Sequence, residues 1–501
     1  MRRIQQNLRG MTWAAGVLAT CVVLVMSAPR AANGQGRSAP GGKIERLNRA
    51  PVNKEVLRVQ LPRPTIAKLK NGLTVILLED HKLPTVAFTM WIRPGQLGDP
   101  DDLPGMALFT ADMLREGTQK RTSAQIAEET DGLGATLNAN SAFGATYTSV
   151  TASGMINDSD HILDLMSDVV LHPAFLADEL AQYKQRELAS LDQRLSNPGF
   201  LAQQAMRRLL YNEPPLSLTS PTKESVQKVG AEDLKKFHDQ HYRSGNALLG
   251  VTGDFKADEM RALVEKYFGA WTGAAEQAAA PRAEPGAEPN AKAAHITLVD
   301  RPSSVQTYIL AGNRTIRRTD PDYYAMEVMN QVIGGGPQSR LFLDLREEHS
   351  YTYGAYSRFA PEIYRGDWMA SAAVRTPVTD GSMERFVYEF KQIGDAAVPE
   401  SELDDARHAI IAGFALSLER PAELLNDLLQ VQLLGLPADY WDKYPDHISA
   451  VSAAEVQAAA KKYVDLAHMQ WVCVGDRKQI ESVLAKYGTV TVIDAEGKAE
   501  P

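Results

Sequence analysis

The stretch Pro104 to Thr118, PGMALFTADMLREGT, decides how the rest of the chain is read. Leu108, Ala111 and Asp112 stand at i, i+3 and i+4, so a helix that Pro104 opens at its first position carries all three on one face. Histidine, glutamate and histidine at that spacing would hold a zinc ion and take a proton from the water bound to it. Here leucine offers no lone pair, alanine offers no base, and a single carboxylate remains. The segment has the frame of a metal-bearing helix without its donors.

Working outward, Leu73 to Leu78 and Thr85 to Ile92 are rich in β-branched and aromatic residues and are predicted as strands. Thr122-Ser123-Ala124-Gln125 forms a capping box before a helix that Gly134 ends. Ala135 to Asn140 and Ala145 to Thr151 make a hairpin around Gly144, and Ile162, Leu165, Met166, Val169 and Val170 share one helical stripe. A further helix runs from about Ala177 to Ser196 and stops before Pro198. Strands mixed with helices, without regular β-helix-β units, predict the α+β class, with helices covering one face of a largely antiparallel sheet.

Gly273 to Ala294, GAAEQAAAPRAEPGAEPNAKAA, has no aromatic or branched aliphatic residue and reads as a linker. It divides a first half, residues 55–272, from a second, residues 295–490. The halves resemble each other: Val229, Gly253 and Asp254 recur as Val451, Gly475 and Asp476, each pair 222 apart (451−229, 475−253, 476−254). Duplication accounts for this spacing.

Residues 1–35 read as a signal peptide and leader. Arg2, Arg3 and Arg9 precede an apolar run from Trp13 to Met26 that is shorter than the roughly 20 residues needed to span a bilayer. A retained anchor is the alternative to cleavage. Cleavage gives a periplasmic or secreted protein with no stable membrane anchor, and it removes four arginines and no acids, so 49 minus 62 leaves a net charge of −13. Such an acidic chain has no nucleic acid or anionic lipid among its expected partners. Cys21 would leave with the leader and Cys473, inside Trp471-Val472-Cys473-Val474, reads as a buried apolar residue. His238 and His241 form the closest histidine pair and read as the surface end of a charged helix.

The second half carries Ile333-Gly334-Gly335-Gly336, then Ser339-Arg340-Leu341-Phe342, Leu345-Arg346-Glu347-Glu348 and Tyr351-Thr352-Tyr353-Gly354. With Gly95, Asp99, Pro100, Gly105-Met106-Ala107, Met113 and Gly117-Thr118 around the first-half helix, the chain resembles the insulinase/pitrilysin-like (inverzincin) metallopeptidases from about Pro62 to about Tyr487. The resemblance implies two duplicated halves forming a clam-like shell around a peptide chamber. It also implies that Arg346 and Tyr353 donate hydrogen bonds to a substrate carbonyl and its oxyanion. Asn138, Ala139 and Asn140, within the segment Gly134 to Asn140, would bind an extended peptide as an added strand, or form a plain interior strand. Gly334, Gly335 and Gly336 join them as substrate-binding positions.

Alignment through Arg186 and Pro198 puts Asp192 in the family's third metal-ligand position, with Gln185 supporting it. Leu108, Ala111, Asp112 and Asp192 are then degenerate positions, and no metal or other cofactor of the chain's own is expected. The implied role is a noncatalytic subunit of an exported heterodimeric zinc peptidase, whose partner chain brings the zinc and whose substrates are short or unfolded peptides. A structural or peptide-binding protein and a self-sufficient peptidase with an atypical metal site are the alternatives.

Overall fold

The computed structural model describes residues 59–211, 213–273 and 293–499. The signal peptide, Cys21 and all of the linker except Gly273, Ala293 and Ala294 lie outside the described residues. Among the described residues no helix is long and apolar enough to cross a membrane.

The first half builds a six-stranded sheet from β1 (Thr65–Lys68), β2 (Thr74–Glu79), β3 (Thr85–Ile92), β4 (Thr136–Asn140), β5 (Thr148–Met155) and β6 (Ala247–Gly253), in the order β1-β2-β6-β3-β5-β4. The second uses β7 (His295–Asp300), β8 (Gln306–Arg314), β9 (Thr352–Ala360), β10 (Asp367–Arg375), β11 (Gln470–Gly475) and β12 (Val490–Ile493), in the order β12-β7-β11-β8-β10-β9. Five strands correspond, β2-β6-β3-β5-β4 with β7-β11-β8-β10-β9. The sixth differs: β1 joins antiparallel to β2, whereas β12 joins parallel to β7.

Helices α1 (Met106–Met113), α2 (Ser123–Gly132), α3 (Ser159–Leu171), α4 (Ala177–Leu195), α5 (Pro198–Leu210), α6 (Lys223–Lys228), α7 (Ala231–His241) and α8 (Ala257–Phe268) belong to the first half. The second has α9 (Tyr323–Gly334), α10 (Arg340–Phe342), α11 (Thr379–Asp395), α12 (Glu400–Ser417), α13 (Pro421–Leu434), α14 (Tyr440–Ala450), α15 (Ala453–Tyr463) and α16 (Arg477–Leu484). The repeat holds in three dimensions, since α7 and α15 begin 222 residues apart (453−231). The capping box also forms: the Gln125 amide donates to Thr122 Oγ1 at 3.2 Å and the Thr122 amide to Gln125 Oε1 at 2.9 Å.

Two details depart from the sequence reading. Strand β5 starts at Thr148 rather than Ala145, because residues 141–147 form the hairpin loop. The chain also does not leave one face of each sheet bare. After α4 stops at Leu195, Pro198 takes the first turn of α5, where its missing N–H costs nothing, and Asn197 Oδ1 caps it by accepting from the Gly199 amide at 2.8 Å.

Helix α5 then packs on the sheet of the other half, its Leu201, Ala202, Ala205 and Met206 meeting Val299, Leu310, Val472 and Val474. Helix α13 returns the exchange, with Leu424, Leu425 and Leu428 in one cluster with Ile76, Leu78 and Trp91 of the first sheet. Burial on both faces explains why β11 is apolar throughout: Trp471 and Cys473 face their own helices while Val472 and Val474 face α5. Cys473 is fully buried, which pushes its thiol up to about 12.

Candidate functional site

Helix α1 begins at Met106, two residues later than Pro104 suggests, because Gly105 precedes it at φ +102, a left-handed conformation suited to glycine. A Cβ there would also lie 2.9 Å from the Phe109 ring and from Pro221. The helix N-terminus is closed by buried Asp99, whose carboxylate accepts from the Gly105 amide at 2.7 Å and the Ala107 amide at 2.8 Å. Two orphan amides are thus satisfied by one side chain. Burial outweighs those bonds and raises the Asp99 carboxyl to about 7.

The face that would hold metal offers one donor, and Leu108 on it is partly exposed. Ala111 is fully buried, and Asp112 Oδ2 accepts from the Tyr183 hydroxyl of α4 at 2.8 Å. Burial raises the Asp112 carboxyl to about 6, with the Tyr183 bond acting in the opposite direction. Phe109 and Tyr183 meet edge to face at 6.1 Å. The acids nearby are engaged: Glu116 pairs with Arg186 at 2.6 Å and Glu187 with Arg194.

Asp192 does not join this group. It is exposed and pairs with Lys223 of α6 at 2.7 Å, and Gln185 is exposed as well. The residues of α4 that are buried or turned inward are Leu180, Tyr183, Glu187 and Leu191, spaced three and four apart. At about 100° per residue, Gln185 and Asp192 lie roughly opposite Tyr183. Asp192 is therefore not placed beside Asp112, and the inward side chains of α4 are those of the Leu180-Tyr183-Glu187-Leu191 stripe. A hydrocarbon, a methyl group and one tyrosine-bonded carboxylate do not fit zinc, which needs three protein donors in a catalytic site.

His238 and His241 are buried rather than at the surface. His238 Nε2 lies 2.8 Å from the Val170 carbonyl of α3, and its burial lowers its pKa. The charged face of α7 is solvated, but these two side chains sit on its inner face with Leu234 and Phe237.

The second-half segment is built differently. Gly334 permits close contact with β9, because a Cβ there would lie 2.3 Å from the Ser357 nitrogen, and a Cβ on Gly335 would lie 2.4 Å from Gln331 Oε1. Gly336 meets only Gln331 Nε2 at 3.6 Å. After α10 the chain makes a π-helical turn, Leu343–Glu348, of a kind enriched at functional sites. Two clamps hold it: Arg340 forks onto Glu402 at 2.9 and 2.8 Å, and Arg385 Nε onto Asp344 at 2.9 and 2.8 Å. Ser350 at φ +54 ends the turn, and the Tyr351 amide closes back on the Leu345 carbonyl at 2.8 Å.

Between these anchors Arg346 is left half exposed, its guanidinium 4.8 Å over the Phe342 ring and 3.4 Å from Glu347. Tyr353, on β9, is 91% exposed. Asp344, Glu348 and His349 are the one set of three among the described residues whose ligand atoms fall within 4.8 Å of one another. With Arg385 already on Asp344 and His349 Nδ1 2.8 Å from it, that set is a clamp for the turn rather than an ion site.

Strand β4, carrying Asn138, Ala139 and Asn140, is the outer strand of its sheet, so the interior alternative does not hold. It pairs with β5 on one side only, from Thr136 opposite Ser153 to Asn140 opposite Ser149. Its free edge lies beside α1, where Arg115 Nη1 donates to Asn138 Oδ1 at 3.2 Å.

Comparison with known proteins agrees with this architecture. Residues 74–217 match the insulinase (peptidase family M16) profile and residues 228–410 the peptidase M16 inactive domain profile. An uncharacterized zinc protease of Mycobacterium leprae is 27% identical over 386 residues, covering 76% of this chain and 83% of that one. The non-peptidase homolog YmxG of Helicobacter pylori is 24% identical over 411 residues, covering 81% and 92%. A crystal structure of a peptidase M16 inactive domain from Pseudomonas fluorescens has a TM-score of 0.74 at 27% identity, covering 82% of this chain and 98% of that one. With a duplicated α+β fold, a metal helix stripped of its donors and an intact second-half signature, the chain is a noncatalytic, peptidase-like member of the insulinase family, peptidase family M16.

Proposed function

We propose that the chain is the noncatalytic subunit of an exported, periplasmic heterodimeric zinc peptidase, lending Arg346 and Tyr353 to a zinc-bearing partner of the same family. The observation that carries this reading is the contrast in engagement. Arg346 sits half exposed in the turn clamped by Arg340–Glu402 and Arg385–Asp344, and Tyr353 is exposed on β9, whereas the first-half carboxylates are absorbed into packing and ion pairs. A guanidinium and a phenol suit the oxyanion that forms when water attacks a peptide carbonyl. Zinc on the partner would supply the activated water, and this chain would supply donors, part of the chamber wall and the open edge of β4 for short or unfolded peptides.

Co-purification from the native organism tests the assembly. The expected result is a stoichiometric partner carrying an intact His-x-x-Glu-His helix. Arg346→Ala and Tyr353→Phe should then depress proteolysis by the complex without weakening its assembly. Unchanged proteolysis in both variants would leave only a structural or peptide-binding role.

A further inference from the structure

One cavity at the junction of the halves, of about 420 Å³, differs from its neighbours in charge. The cavities beside it are lined by Arg207, Arg358 and Asp367 or by Arg318 and Glu327, with Glu362 common to both. Among the described residues that line this one, none is an acid, a lysine, an arginine or a histidine.

Its floor is the inner face of the first sheet beside α13, and strand register orders the side chains on it. Ala87 of β3 stands opposite Ser153 of β5, and Ser153 opposite Thr136 of β4. Thr89 stands opposite Thr151, while Trp91 stands opposite Ser149 and Ser149 opposite Asn140. Successive side chains of a strand alternate between faces, so these rows share one face and leave Leu137 and Val150 to the core on the other. Ala422 and Asn426 of α13 form the facing wall.

Thr136 Oγ1 and Ser153 Oγ lie 2.8 Å apart and satisfy each other. Ser149, Thr151, Asn140 and Asn426 are partly or fully exposed, and among the described residues their side chains have no hydrogen-bond partner. Two hydroxyls and two amides are therefore open to a ligand, and each can both donate and accept. Such groups pair with neutral polar atoms. They offer no counter-charge to an ion, whose desolvation there is a net cost.

The open edge of β4 gives a peptide access. A strand added there sets every second residue on the face of Thr136 and Asn140, beside this cavity, and turns the residues between them toward α1. Arg115, which donates to Asn138 Oδ1 at 3.2 Å, stands at that rim and does not line the cavity.

We infer that this cavity is a specificity subsite for uncharged, hydrogen-bonding side chains, such as those of glutamine, serine and threonine, at alternate positions of a peptide paired to β4. This inference rests on the peptide-binding reading above and adds to it a selection rule with a two-residue period.

The test titrates the full chain with a fluorescent decapeptide of uncharged polar residues and with variants carrying one lysine at each position in turn. Lysine should weaken binding about 10-fold at every second position of the paired stretch and less than about 2-fold at the positions between. Asn140→Asp, which keeps the size and adds a carboxylate to the wall, should bring the loss at the nearest sensitive position below about 3-fold. Thr151→Val, which keeps the shape and removes the hydroxyl, should weaken the parent peptide about 3-fold. A lysine loss that is uniform or absent, or that neither variant changes as stated, overturns the subsite and leaves peptide binding standing. No binding of the parent peptide overturns both.

Discussion

The two halves share a fold and have treated their chemistry in opposite ways. In the first, α1 and its neighbours have become ordinary core: Asp99 closes the helix, Asp112 bonds to Tyr183, and Phe109 packs on the same ring. In the second, Arg346 and Tyr353 carry no such duty, and the structural work falls to Arg340, Asp344, Arg385 and the glycines around them.

The sharpest way to break this contrast is to truncate one residue in each half. Phe109→Ala removes a fully buried ring and should cost about 3–5 kcal/mol in urea unfolding, with no route to rescue by a partner. Arg346→Ala should leave unfolding within about 0.5 kcal/mol, yet lower turnover of the assembled complex about 10²–10³-fold. Comparable instability in both variants would erase the distinction.

The exchanged helices allow a second, smaller comparison. A Cβ on Gly250 of β6 would lie 2.8 Å from Leu425 Cδ1 of α13, while one on Gly312 of β8 would lie 3.1 Å from the flexible Met206 of α5. Gly250→Ala should therefore cost about 1–2 kcal/mol and Gly312→Ala below about 1 kcal/mol, measured by thermal unfolding.

The acid at the former metal face gives a pH signature. Because the folded Asp112 carboxyl is raised to about 6 from an ordinary 3.8, the folded chain keeps a proton between those values that the unfolded chain has lost. Its contribution to stability thus falls as pH rises from about 4 to 6 and is level above. Asp112→Asn should flatten that window by roughly 1–3 kcal/mol, read from urea midpoints at pH 4.5 and 7. The smallest effect is expected at Asp192: Asp192→Ala should leave the unfolding midpoint unchanged, since its pair with Lys223 is exposed.

Much of this was legible in local chemistry. Strand β3 runs from Thr85 to Ile92 as its β-branched pattern indicates, the Thr122–Gln125 box forms, and the 222-residue repeat returns as matching helices and strands. What escaped depended on distant partners. The apolar face of α5 was present in Leu201, Ala202, Ala205 and Met206, but its partner strands lie about a hundred or more residues away, and Pro198 read as a stop instead of a start. His238 and His241 look like a polar helix end until α3 supplies a carbonyl for one of them. Asp192 failed through helical phase, since it lies about half a turn around α4 from Tyr183.

The account stands most directly on the zinc content and peptide turnover of the purified chain, measured together by elemental analysis and cleavage of an unstructured fluorogenic peptide. It expects zinc far below one equivalent and no cleavage until a His-x-x-Glu-His partner is added. One equivalent of zinc, lost on changing Asp112 and accompanied by cleavage without any partner, would contradict it.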